Sequence, residues 1–148
     1  MRYCLSSTRG NSQEEKNKSI IRSYIYEIFN KHNLTSIESY FGGSSVKGSP
    51  QARKSGVGSK QFINEFFKAF PDWHTTIEHI VAENNLVVVF LNGSGTHKGE
   101  FHGIPPTNKL VNIRSSELYK IVNGRISGHW YVFDQLNLLK QTGVSLSG

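Results

Sequence analysis

The fold is decided by the stretch LVNIRSSELYKIV-NG-RISGHWYVF, residues 110–133. Polar and apolar residues alternate through Leu110–Val122 and again through Arg125–Phe133, which is typical of strands with one buried face. Between these runs stands Asn123-Gly124, a pair that readily adopts the left-handed backbone of a tight turn. The stretch therefore predicts an antiparallel hairpin.

Two further strands are predicted before this hairpin. Trp73–Glu83 and Leu86–Leu91 flank a turn at Asn84-Asn85, and a glycine-rich connection leads on to the hairpin. After the hairpin, Asp134 is placed to cap a short helix, Gln135–Gln141. All the main strands thus fall in the second half of the chain.

Helical patterns occupy the first half. Ser12 and Glu15 have the spacing of a capping box, and an apolar stripe of helical period follows them. A second short helix is predicted from Thr35, with Glu38 three residues on. The stripe of the first helix consists of Ile20, Ile21, Tyr24, Ile25, Ile28 and Phe29.

A third helix is predicted between Ser59 and Pro71, because proline disfavours continuation. Its apolar face carries four phenylalanines that we expect to be buried, and one or two of them are candidates for a cavity wall. The stretch Gly42–Ser59 is rich in Gly, Ser and Lys and is predicted to be a mobile loop. The four phenylalanines are Phe62, Phe66, Phe67 and Phe70.

Helices followed by strands predict an α+β fold, a curved antiparallel sheet with helices packed on one side, and no phosphate-binding glycine loop precedes a helix. The length of 148 residues fits one domain. We expect a poorly ordered N-terminus at 1–13, a single domain at 14–143 and a C-terminal tail at 144–148.

Composition and charge indicate which kinds of binding partner and which cellular compartment to expect. Lys and Arg outnumber Asp and Glu by 17 to 11, but the basic residues do not cluster, so nucleic-acid binding is not expected. Cys4 stands alone, which excludes an intrachain disulfide and favours a reducing compartment. The sequence has neither a secretion signal nor an apolar run of about 20 residues, so we expect a cytoplasmic protein that does not enter membranes.

A glycine-rich motif carries a family resemblance. Residues Gly95–Thr107 read GTHKGEFHGIPPT and resemble the G-x-H-x-G-x-x-x-G-[IM]-P-P-T signature of SnoaL-like polyketide and ester cyclases. The closing segment from Gly124 to Gly143 is similar to that family's last strand and terminal helix. The resemblance covers roughly residues 15–143 and implies the cone-shaped α+β barrel of the nuclear transport factor two-like superfamily, whose members are often homodimers.

The resemblance also implies positions for the chemistry. In the characterised cyclases an aspartate on the last strand, two residues after a histidine, removes a proton during an aldol closure. The histidine corresponds to His129, but the aspartate position holds Tyr131. A second cyclase histidine corresponds to Glu117.

The turn length of the last hairpin leaves two registers open, because a one-residue slip moves every side chain to the other face. A two-residue loop at Asn123-Gly124 places Leu118 opposite His129, whereas a three-residue loop from Val122 places Glu117 there. We favour the second register, which predicts a polar face and an apolar face. The polar face carries Ser115, Glu117, Tyr119, His129, Tyr131 and Phe133, and the apolar face carries Leu118, Ile126, Trp130 and Val132.

The polar face suggests acid–base chemistry. A carboxylate at Glu117 can orient and charge the imidazole of His129, and the phenol of Tyr131 can donate to a developing oxyanion. A buried Glu–His pair kept only to satisfy hydrogen bonds explains the same residues. Asp134 is a further catalytic candidate, although its position suits a helix cap.

We expect a pocket for a small, mostly apolar or amphipathic molecule. Its predicted wall consists of Trp73, His97, Phe101, Ser115, Tyr119 and Phe133. Several histidines invite a metal site, but a glycine-rich loop does not by itself make ligands converge, so neither a metal nor another cofactor is expected. These histidines are His74, His79, His97 and His102.

Three functions fit these features. The first is a cofactor-independent enzyme acting by acid–base chemistry on a small carbonyl, ester or epoxide compound. The second is a binding module that holds such a compound unchanged. The third is an interaction adaptor of the same fold. The apolar outer face of the hairpin favours a homodimer formed through the sheet.

Overall fold

The computed structural model describes residues 7–42, 47–48 and 56–145. The helical elements are α1 (Ser7–Tyr24), a π-helical turn (Ile25–Asn30), a 3₁₀ turn (Leu34–Ser36), α2 (Ile37–Tyr40), α3 (Gly56–Ala69) and α4 (Gln135–Gln141). The strands are β1 (Lys47–Gly48), β2 (His74–Glu83), β3 (Leu86–Thr96), β4 (Leu110–Val122) and β5 (Arg125–Phe133).

The sheet has the order β1-β5-β4-β3-β2. Strands β2 to β5 pair antiparallel in sequence order, and the two residues of β1 add to β5 in parallel. The predicted α+β fold, a curved antiparallel sheet with helices on one side, is confirmed. Strand β3 is longer than predicted, because it continues through the glycine-rich segment to Thr96.

The first helix differs from its prediction at both ends. It begins at Ser7, so Ser12 lies inside the helix and is not its cap. After Tyr24 the backbone changes to a π-helical turn, which shifts the later side chains around the axis. Ile25 and Ile28 remain buried on this turn, and Asn30 at its end reaches the first residues of β2.

The core lies between the concave face of the sheet and the helices. Valines of β3 and β4 are fully buried there against Ile21 of α1 and Phe70 after α3. The prediction that all four phenylalanines are buried is wrong for Phe62, which is 47% exposed. Helix α3 begins at Gly56 and not after Ser59, and most of the predicted loop Gly42–Ser59 lies outside the described residues.

The last hairpin has neither of the two predicted registers. Its loop is the two-residue Asn123-Gly124, and both residues have positive φ, at 51° and 73°. The register then shifts by one residue within β5, where Ser127 has no partner, so Tyr119 lies opposite His129 and Glu117 lies opposite Tyr131. This β-bulge is the feature that the choice between two plain registers missed.

The bulge decides which side chains share a face. Two shifts of one residue, one from the shorter loop and one from the bulge, leave Glu117, His129 and Tyr131 on the same face, as the favoured register predicted. Ile126 is the exception, because it precedes the bulge. It pairs with Ile121 and is fully buried in the core, not on the outer face with Trp130.

The C-terminal helix α4 begins as predicted. Oδ1 of Asp134 accepts a hydrogen bond of 3.0 Å from the backbone N–H of Asn137. Gln141 at the other end of α4 connects the helix to β4, because its side-chain amide accepts a hydrogen bond from the backbone N–H of Asn112 and donates one to its carbonyl. In the described part of the chain, no helix is long and apolar enough to cross a membrane.

The cap gives a first test of the fold. Asp134→Ala removes the acceptor and should lower the free energy of unfolding by about 1 kcal/mol, whereas Asp134→Asn, which retains a capping oxygen, should cost less. Denaturant titration of the three proteins measures the difference. Equal stability of the alanine variant and the wild type would contradict the capping role.

Candidate active site

A cavity of about 160 Å³ lies between the concave face of the sheet and the helices. Most of its wall is aromatic or aliphatic, and its polar groups are few. An engineered apolar cavity of about 150 Å³ accepts benzene, so this space is of ligand size. The wall consists of Tyr24, Phe29, Phe62, Ile63, Phe66, Trp73, Thr75, Leu91, Gly93, Phe101, Ile113, Ser115, Glu117, His129, Tyr131 and Phe133.

A carboxylate and an imidazole meet at one end of this cavity. Nε2 of His129 lies 2.8 Å from Oε2 of Glu117, and the two side chains are 16% and 14% exposed. They belong to diagonal positions of neighbouring strands, which are close enough for such side chains to touch. The predicted Glu117–His129 contact therefore exists, although through another register.

Tyr119 holds both members of this pair. Its hydroxyl donates a hydrogen bond to the same Oε2 of Glu117. Its ring also stacks on the imidazole of His129, with centroids 4.5 Å apart and planes within 3° of parallel. Because Tyr119 is fully buried, it fixes the position of the carboxylate and the plane of the imidazole together.

The surroundings keep Glu117 ionised. Burial alone would raise the pKa of its carboxyl, but the hydrogen bond and charge of His129, with hydrogen bonds from Tyr119 and Ser115, outweigh burial and lower the pKa. An ionised carboxylate only accepts hydrogen bonds, so His129 presents Nε2–H to it. The other ring nitrogen, Nδ1, is thereby left with a lone pair when the imidazole is neutral.

Tyr131 supplies a donor beside this pair. Its ring centroid lies 5.6 Å from that of His129. Burial, and next the negative charge of Glu117, raise the pKa of the Tyr131 hydroxyl. The phenol thus remains protonated at neutral pH and is available as a hydrogen-bond donor to an oxygen in the cavity.

The opposite end of the cavity is formed by Trp73. Its indole packs against Gly93 and Gly95 on β3, where an added Cβ at either glycine would come within 3 Å of the ring. Phe66 packs edge-on against it at 4.7 Å between centroids. This end of the cavity is therefore tightly packed, because the indole occupies the space that side chains at the two glycines would need.

Three predicted site residues do not line the cavity. Tyr119 lies behind the Glu117–His129 pair, and Asp134 is exposed at the start of α4. His97 is fully buried in the loop after β3, where Nδ1 lies 3.0 Å from Oγ1 of Thr107. The other seven predicted site residues line the cavity, namely Trp73, Phe101, Ser115, Glu117, His129, Tyr131 and Phe133.

Sequence reasoning missed the two hydroxyl-bearing wall residues Tyr24 and Thr75. Tyr24 belongs to the apolar stripe of α1, which gave no reason to separate it from the core. Thr75 follows Trp73 by two residues, so strand alternation places both on one face, and this signal could have identified it. No group of three or more His, Cys, Asp or Glu side chains in the described ranges is arranged to hold a metal ion.

The sequence matches a known protein family over most of the chain. The sequence model of the SnoaL-like polyketide cyclases matches residues 19–142. No functionally curated protein matches the sequence significantly.

Solved structures share the fold. AclR from Streptomyces galilaeus superposes with a TM-score of 0.80 at 24% identity, over 91% of this chain and 85% of its own. IdmH from Streptomyces antibioticus superposes with a TM-score of 0.71 at 28% identity, over 86% of this chain and 99% of its own. A SnoaL-like polyketide cyclase from Agrobacterium tumefaciens superposes with a TM-score of 0.70 at 20% identity, over 86% of this chain and 98% of its own.

The lowered pKa of Glu117 predicts an acid-sensitive contribution to stability. The ordinary pKa is 4.5 and the folded-state pKa is lower, so the contribution is complete above pH 4.5 and disappears as the pH falls through the folded-state value. The free energy of unfolding of the wild type should therefore fall more steeply with acid than that of Glu117→Gln. Denaturant titrations at successive pH values measure both slopes.

Replacement of the exposed Glu100 by Gln provides the control, because this side chain does not belong to the buried cluster. It should leave the slope close to that of the wild type. Identical slopes in the wild type and Glu117→Gln would contradict the assignment.

Proposed function

Because the chain belongs to the SnoaL-like polyketide cyclase family, we propose that it catalyses cofactor-independent proton transfer on a small, mostly apolar carbonyl compound. The hydrogen-bonded pair Glu117–His129, at the polar end of an otherwise apolar cavity, carries this proposal. Esters belong to the same class of candidate substrates, since they too have a carbonyl oxygen on which charge develops when an α-proton is removed.

The proposed chemistry uses three side chains. His129 takes a proton at Nδ1 from the carbon next to the carbonyl, and the electron pair of that C–H bond moves into the enolate. Glu117 stabilises the imidazolium that results, and Tyr131 donates a hydrogen bond to the enolate oxygen. Return of the proton to carbon from Nδ1 closes the cycle. Desolvation strengthens each of these interactions, because the cavity wall is mainly apolar.

A second candidate function is a binding module without turnover. Tyr131 stands where the resemblance implies the aspartate base of the characterised cyclases, and this substitution favours the binding alternative. The two functions share the cavity, so only the fate of the ligand separates them. An adaptor is less well supported, because the side chains of the described residues leave the cavity unfilled.

Exchange of the α-protons of 1-tetralone in deuterated water, followed by NMR, tests the proton transfer. We expect the wild type to accelerate exchange and His129→Ala to reduce the protein-dependent rate by about 10²- to 10⁴-fold, the range for a general base. His74→Ala, at an exposed histidine on β2, is the matched control and should retain the rate.

The outcomes separate the two functions. An unchanged exchange rate in His129→Ala would show that His129 is not the base. Binding of 1-tetralone without any protein-dependent exchange would reject the enzyme and favour the binding module.

The outer face of the sheet supports a homodimer as part of the proposal. Val81, Val88, Leu118 and Trp130 form one row across four strands, since each pairs with the next. Phe90 and Val132, in the next row, are 47% and 76% exposed. A second copy would cover this surface, because a contiguous apolar face on a sheet is a typical interface.

Val132→Lys should therefore convert a dimer to a monomer in sedimentation equilibrium without altering the fold, because Val132 is exposed within the protomer. Leu136→Lys changes a residue that is 53% exposed on α4 and belongs to neither of the two rows, and it should leave the dimer intact. A wild type that sediments as a monomer would contradict the proposal.

A further inference from the structure

Thr75 is the one polar wall residue at the Trp73 end of the described cavity. It lies on β2 opposite Gly93 and is only 6% exposed. Gly93 in turn pairs with Ile113 on β4, four residues before Glu117. At about 3.4 Å per strand residue, the two ends of the cavity are separated by about 14 Å along the strands.

Hydrogen bonds fix the backbone of Thr75. Its N–H donates to Oδ1 of Asn30 at 2.7 Å, and its carbonyl accepts from Nδ2 of the same side chain at 2.9 Å. Since β2 is an edge strand, the Asn30 amide replaces the neighbour that the edge lacks. The π-helical turn, which ends at Asn30, thus positions Thr75.

A third hydrogen bond orients the hydroxyl. Nε1–H of Trp73 donates to Oγ1 of Thr75 at 3.0 Å. A hydroxyl has one donor hydrogen besides its acceptor sites, so this bond occupies a lone pair and leaves the hydrogen of Thr75 available. Within the described ranges, no protein acceptor receives a hydrogen bond from this hydroxyl. The donated bond also polarises the hydroxyl and strengthens it as a donor.

We propose that the Thr75 hydroxyl is a second anchor of the cavity, which donates a hydrogen bond to an acceptor oxygen on the end of the ligand far from Glu117. A buried donor without a partner costs free energy, and a ligand carbonyl relieves that cost. The inference deepens the proposed function and rests on it for the use of the cavity. The ligand class is an elongated, largely apolar molecule with an oxygen function at each end.

Two naphthols of similar shape test the anchor by isothermal titration calorimetry. 6-Acetyl-2-naphthol carries an acceptor oxygen opposite its hydroxyl, whereas 6-isopropyl-2-naphthol has a methyl group in place of that carbonyl oxygen. The wild type should bind the acetyl compound about threefold to tenfold more tightly, the range of one neutral hydrogen bond. Equal affinity in the wild type would overturn the proposal.

Variants at Thr75 assign the preference to its hydroxyl. Thr75→Val removes the donor with little change of shape and should abolish the preference, while Thr75→Ser retains the donor and should preserve it. Circular dichroism establishes that each variant is folded. A preference that survives in Thr75→Val would contradict the anchor.

The two proposals fail in different ways. The affinity ratio is measured without turnover, so an absence of deuterium exchange with 1-tetralone would reject the enzyme and leave the Thr75 contact standing. If the wild type binds neither naphthol, the cavity is not the ligand site, and both the proposed function and the anchor are overturned.

Discussion

The bond between Glu117 and His129 is the interaction on which the proposed chemistry depends. An ionised carboxylate inside an apolar cavity is costly unless donors surround it, and here His129 and Tyr119 both donate to Oε2. The same bonds that satisfy the carboxylate also fix the imidazole plane and its tautomer. Stability and proposed chemistry are therefore joined in one cluster, because removal of any donor exposes the carboxylate to its desolvation cost.

The backbone makes this cluster possible through a local irregularity. A hairpin with a two-residue loop and no bulge would turn His129 and Tyr131 to the outer face. The unpaired Ser127 reverses that consequence and returns them to the cavity, while it leaves Ile126 in the core. At the other end of the sheet, Asn30 on the π-helical turn fixes Thr75. Both ends of the cavity thus depend on departures from regular structure.

The sequence predicts the regular parts well. Period and turn residues located the bounds of β4 and β5 and the capped start of α4 at Asp134, because these features depend on neighbours along the chain. They did not reveal the contact between Asn30 and Thr75, which lie 45 residues apart, or the bulge at Ser127, which no turn residue or periodicity marks. The faces in the hairpin were nevertheless predicted for most residues, since two one-residue shifts add up to a two-residue shift, which returns each side chain to the same face.

The tautomer of His129 tests the central claim most directly. Long-range ¹⁵N–¹H correlation spectra of the imidazole, recorded at neutral pH on wild type and Glu117→Gln, distinguish a protonated from an unprotonated ring nitrogen. The account predicts that neutral His129 in the wild type carries its hydrogen on Nε2 and has an unprotonated Nδ1, and that Glu117→Gln disturbs this preference. A neutral imidazole with its hydrogen on Nδ1, or spectra that do not change in Glu117→Gln, would contradict it.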